Sequence, residues 1–182
     1  MLQASLTFDD PTGAVDRIGK FLDRMGDWRP ALQEIATDFY AEETKVFNSQ
    51  GAHDGRPRWD ELGPLYSKWK GQEYPGRPIL ECTGALRRSL IGPGGAGVLK
   101  IEKRKLTIGT KVGTGTGQGR TKNWNVARLH QGEVHRKGVF ENVPQAGGVT
   151  PARPPLTFTQ NQKNRWAMIL AKHIVRDVAG GP

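Results

Sequence analysis

A chain of 182 residues, 36% hydrophobic and 25% charged, is long enough for one ordinary core, so a single domain over 1–182 is the expectation. Its 24 Gly and 12 Pro send a good share of the chain into loops, and its one cysteine, Cys82, excludes an internal disulfide and a cysteine-cluster metal site. The net charge of +9 is regional: residues 1–80 hold 10 Lys and Arg against 13 Asp and Glu, while residues 81–182 hold 17 against 5, a basic half suited to phosphate backbones or an acidic protein partner without base reading.

The start of the chain, Met1 to Asp10, has neither a basic flank nor an apolar run. No later stretch approaches the roughly 20 apolar residues that cross a bilayer, so the expected setting is the cytosol, with no membrane partner. Leu2, Ala4, Leu6 and Phe8 alternate as on a half-buried strand. Val15, Ile18, Leu22 and Met25 then recur at helical steps, predicting an amphipathic helix over 14–25 that Gly26 ends. Leu32, Ile35, Phe39, Val46 and Phe47 repeat the rhythm from Pro30, which suits a first turn, and predict the longest helix, to about Asn48.

The polar stretch 50–58 reads as a loop, and a short helix is expected around Pro64 to Lys70, within a run carrying Trp59, Tyr66 and Trp69. Thr83 is placed to cap a helix whose apolar face is Leu86 and Leu90. Val98–Glu102 and Lys105–Gly109, joined at Lys103-Arg104, predict a hairpin with basic ends. The Gly-rich 111–124 and the stretch 132–150 read as long loops around one or two helical turns at 125–131. An extended Pro-rich segment, 149–156, leads to a terminal helix, 159–178, with Trp166, Ile169, Leu170, Ile174 and Val178 on its inner face. The expected class is α+β: a small antiparallel sheet with a hairpin, packed against two to three main helices.

Few of these residues point to catalysis. Gly92-Pro-Gly-Gly-Ala-Gly97 spells a dinucleotide fingerprint, but helix precedes it and strand follows, the reverse of what places a helix N-terminus on a pyrophosphate. The stretch ending in Gly119-Arg-Thr121 departs from a phosphate-binding loop at Thr114 and Arg120. His130 and His135 bracket Glu133 without the spacing of two ligands one helical turn apart, and His53 and His173 are isolated in sequence. No nucleophile has a recognisable setting, so neither enzyme activity nor a cofactor or metal is expected.

The main charge cluster is Lys100, Lys103, Arg104, Lys105, Lys111, Arg120 and Lys122. It reads either as a solvated hairpin tip and loop or as a surface facing DNA or an acidic ring. Trp124 alone beside it makes no base-stacking platform, so any DNA contact is with the backbone. Pro151, Pro154 and Pro155 stiffen the segment that holds Arg153, which suits a strand or arm docking on a neighbour. Arg153 itself is placed to pair with a carboxylate inside the fold or across a subunit contact.

Three stretches in order resemble the phage virion morphogenesis and tail-completion family. They are Trp59-Asp-Glu-Leu-Gly-Pro-Leu-Tyr-Ser-Lys-Trp-Lys70 with Ile79-Leu-Glu-Cys-Thr-Gly-Ala-Leu-Arg-Arg-Ser-Leu90, then Ala127-Arg-Leu-His-Gln-Gly132, then Val149-Thr-Pro-Ala-Arg-Pro-Pro-Leu156. Val126 stands where the family pattern has an aromatic residue and Pro155 where it has Phe. The resemblance implies a virion structural protein at the head–tail junction, present in the host cytoplasm during assembly. It implies a homo-oligomeric ring, hexameric to match the tail, with other neck and tail proteins as partners and the basic loops along the DNA path. The alternative from composition is a small basic nucleic-acid-binding accessory protein.

Overall fold

The computed structural model describes residues 14–111, 134–135, 149–150 and 152–175. The expected strand at 2–8, the turns at 125–131, Pro151 and Val178 lie outside them, as do nearly all of the two long loops. The described elements are α1 (Ala14–Gly26), α2 (Arg29–Asn48), α3 (Pro64–Glu73), α4 (Ala85–Leu90), β1 (Gly97–Glu102), β2 (Lys105–Thr110), β3 (Val134–His135), β4 (Val149–Thr150) and α5 (Gln160–Val175). The fold is α+β, with β1 and β2 forming an antiparallel hairpin and β3 pairing antiparallel with β4.

Helix α2 is the axis of the core. Its period places Ala31, Leu32, Ile35, Ala36, Phe39, Val46 and Phe47 on one buried stripe. Pro30 occupies its first turn, and the Asp27 carboxylate accepts the Arg29 amide at 3.1 Å, meeting one of the amides a helix start leaves open. Phe39, Val46 and Phe47 gather Trp59, Ile79, Leu86 and Leu90 around them, and the Phe47 and Trp59 rings meet edge to face at 5.4 Å. β2 and α4 also pack on α2, with Ile108 against this cluster.

The hairpin register pairs Leu99 with Ile108 and Ile101 with Leu106 on one face, and Lys100 with Thr107 and Glu102 with Lys105 on the other. The apolar pairs are half-buried and the second set is exposed, the alternation of a one-sided sheet. The N-cap of α4 lies one residue after the expected Thr83: Gly84 takes it with the left-handed φ of 74°, while the Thr83 hydroxyl accepts the Ala85 amide at 3.3 Å. The Gly92–Gly97 run joins α4 to β1, in the helix-to-strand order expected from the sequence.

α1 departs from the simplest expectation for an amphipathic helix. Ile18, Leu22 and Met25 are 60%, 59% and 42% exposed, while Arg17, Phe21 and Arg24 are half-buried. Among the described helices α1 packs mainly on α5, and its half-buried residues flank the apolar stripe.

Candidate functional site

Two groups of expected site residues are described, and the structure places them differently. The hairpin tip is docked, not free. The Trp28 amide donates to the Lys103 carbonyl at 2.7 Å, and Arg104 Nη2 donates to the Met25 carbonyl at 3.1 Å. Met25 sits in the last turn of α1, where carbonyls lack helical partners and a cation is favoured by the helix dipole. Arg104 thus caps α1. His173, near the end of α5, donates Nε2–H to the Asp27 carbonyl at 3.0 Å, so the hairpin tip and α5 both meet the α1–α2 junction. Hydrogen bonds from Arg29 hold Asp27 at a pKa of about 2, with Lys103 adding a smaller pull.

Lys103, Lys105 and Lys111 stay exposed, and Lys100 is tied to Glu102 at 2.5 Å on the outer hairpin face. That ion pair raises the pKa of Lys100 and lowers that of Glu102. Arg120 and Lys122, expected in the same cluster, lie outside the described residues.

The second group is the proline-stiffened segment. Arg153 is 3% exposed and spans a neighbouring stretch of its own chain, donating Nε to the Asp60 carbonyl and Nη2 to the Glu61 carbonyl, each at 2.6 Å. Pro155 is fully buried, and the Pro154 carbonyl accepts Trp59 Nε1–H at 3.3 Å. Residues 153–155 therefore clasp the Trp59–Glu61 strip within one chain, through hydrogen bonds to backbone carbonyls. Beside this clasp Lys70 is buried and donates to the Pro78 carbonyl, and burial lowers its pKa. Cys82 is half-buried, its Sγ 3.9 Å from the Tyr66 hydroxyl.

Sequence reasoning missed a third constellation, an acidic ladder on α2. Asp38 accepts Trp166 Nε1–H at 2.7 Å and faces Arg165 Nε at 3.4 Å. Glu42 meets Lys45 at 2.8 Å, His53 at 3.0 Å and Arg165 at 3.0 Å. Burial pushes the pKa of Glu42 up, but its bonds to Lys45 and His53 and the Arg165 charge outweigh burial and leave it lowered. Glu43 is fully buried with Arg56 Nη1 at 3.8 Å, and burial pushes its pKa up to about 8, helped by the neighbouring Glu42. One signal was legible: Glu43 falls four residues after Phe39 and three before Val46, on the apolar stripe itself.

Opposite the ladder, Asp54 ties the connection after α2 to the start of α5. It accepts the Thr159 hydroxyl and Asn161 Nδ2 at 2.8 Å, bonds that lower its pKa. The Thr159 oxygen in turn accepts the Gln162 amide at 3.1 Å, the bond of a helix cap. Among the described residues no group of three His, Cys, Asp or Glu is placed to hold a metal ion, and no helix is long and apolar enough to cross a membrane. His130 and Glu133, whose spacing with His135 gave no expectation of a metal, are outside the described residues. No family model, no curated protein and no solved structure matches the chain.

Proposed function

We propose that this chain is a bacteriophage structural protein of the head–tail junction, which completes the tail and joins it to the head by binding its neighbours, without catalysis or a cofactor. The supporting observation is the meeting of two of the family-like stretches. Trp59 to Glu61 lies against Arg153 to Pro155, and Trp59, Ile79, Leu86 and Leu90 share one core. Residues 92 and 93 apart in sequence thus form one unit, so their ordered recurrence has a physical reason. In this reading copies of the chain form a ring, hexameric to match the tail, bound to other neck and tail proteins in the virion. The exposed Lys103, Lys105 and Lys111 then line the DNA path through contacts with the phosphate backbone.

The test is a nonsense mutation in the gene for this chain in a phage that carries it. Electron microscopy should show filled heads and separate tails, and the chain should be found in purified wild-type virions. Normal joining in the mutant, or virions without the chain, would overturn the reading. A salt-dependent DNA shift by the isolated monomer, with no ring and no place in virions, would favour the alternative of a nucleic-acid-binding accessory protein.

A further inference from the structure

Helix α5 is held to the body by polar groups as well as by Trp166, which packs against the core. Gln162 is its fully buried residue, while Ile169, Leu170 and Ile174 are half-buried and Met168 and Val175 exposed. Its polar fastenings include Arg165 and Trp166 to Asp38, Arg165 to Glu42, Thr159 and Asn161 to Asp54, Gln162 to Arg56, and His173 to the Asp27 carbonyl. An interface of this kind changes strength when a proton moves, because charged and neutral partners hold one another very differently.

Arg56 sits at a fork in this interface. Its Nη2 donates to Gln162 Oε1 of α5 at 3.0 Å, while its Nη1 faces Glu43 Oε1 of α2 at 3.8 Å, beyond hydrogen-bond length. Its side chain is 7% exposed and that of Glu43 0%. Among the described residues both Glu43 oxygens, Arg56 Nε and Nη1, and Gln162 Nε2 lack hydrogen-bond partners. A buried ionised carboxylate draws in a guanidinium it can reach, whereas a neutral carboxyl loses less by standing at that distance.

We propose that Arg56 is the bolt of a proton-operated latch: it holds α5 through Gln162 while Glu43 keeps its proton, and turns to Glu43 when that proton leaves to solvent. Charged and titratable groups face the bolt from three elements. From α2, Glu42 repels the Glu43 charge and is itself matched by Lys45; from the connection after α2, Arg56 attracts it and His53 bonds Glu42; from α5, Arg165 neutralises Glu42 and Asp38. Burial pushes the pKa of Glu43 up to about 8, so its charge changes between neutral and mildly alkaline pH.

Hydrogen–deuterium exchange of the full chain at about pH 6 and about pH 9, corrected for intrinsic rates, reads the latch directly. The α5 amides of the wild type should open about tenfold more at the higher pH, the change expected when proton affinities of closed and open states differ by one unit. The α2 amides should not follow. Glu43→Gln should keep α5 protected at both pH values, and Gln162→Ala should loosen it at both. Equal wild-type protection at the two pH values, or an unchanged pH response in Glu43→Gln, would overturn the latch. Should Glu43→Gln not fold, carbon NMR of the wild-type Glu43 carboxyl decides: titration above about pH 7 supports the latch, and titration near the ordinary value of about 4.3 overturns it.

Discussion

The buried guanidinium of Arg153 bridges two successive carbonyls, those of Asp60 and Glu61, with a 2.6 Å bond to each. Two parallel N–H donors at fixed spacing suit this task, and an ammonium group cannot reproduce them. Arg153→Ala should therefore leave both carbonyls without these donors and lower unfolding stability by about 2–5 kcal/mol. Arg153→Lys should recover less than half of the loss. Urea titration followed by Trp59 fluorescence measures both; a loss under about 1 kcal/mol for the alanine variant would show that the clasp adds little.

Gly51 is the backbone counterpart of that clasp. It follows α2 with φ of 97°, and a Cβ there would lie 2.8 Å from Trp59 Cδ1 and 3.0 Å from the Pro57 carbonyl. Its amide donates to the Val46 carbonyl, while the Gln50 carbonyl accepts the Trp59 amide, both at 2.8 Å, so neither side of the turn gives way easily. Gly51→Ala combines left-handed strain with a clash against the core and should cost roughly 1–3 kcal/mol. Gly55→Ala, also at positive φ but in open space, should cost less in the same thermal melt.

The contrast between α2 and α5 explains what was legible in the sequence. The apolar stripe of α2 is encoded within one turn-by-turn pattern, and the Leu86 and Leu90 face of α4 and the hairpin turn at Lys103-Arg104 are equally local. The docking of α5 is not local: Arg56 and Gln162 are 106 residues apart, Asp38 and Trp166 are 128, and polar pairs leave no periodic trace. The same holds for Arg104, which reads as one more cation at a basic tip but lies 79 residues from the carbonyl it caps. Arg153 was legible as a cation placed to pair with a carboxylate, and only the fold brings the Asp60 and Glu61 carbonyls against it.

Neighbouring carboxylates on α2 should give stability two opposed pH limbs. Glu42 has a folded pKa below its ordinary value, so its contribution is present above the unfolded pKa and is lost as pH falls through the folded one. Glu43 has a folded pKa raised from 4.5 to about 8, so its contribution is full below 4.5 and is lost as pH climbs from there towards 8. Stability from this pair should therefore peak near the ordinary glutamate pKa. Glu42→Gln should flatten the acid limb and Glu43→Gln the neutral-to-alkaline limb, as read by urea titrations across pH. A Glu43→Gln variant that still loses stability between pH 4.5 and 8 as the wild type does would remove Glu43 as the cause.

The basic tip separates into structural and free charge, and this division is testable. Arg104 caps α1 through the Met25 carbonyl, so Arg104→Ala should lower stability by about 0.5–1 kcal/mol, the usual worth of a cation at a helix C-terminus. Lys103 and Lys105 are exposed, and replacing both with Gln should leave the melting temperature nearly unchanged. Their effect should appear in DNA binding instead. If each meets a phosphate, the slope of log affinity against log salt should shrink by about 0.9 per lysine removed, equally for unrelated DNA sequences. An unchanged slope would mean that this face of the hairpin does not touch DNA, and a sequence-dependent change would mean that it reads bases and not the backbone.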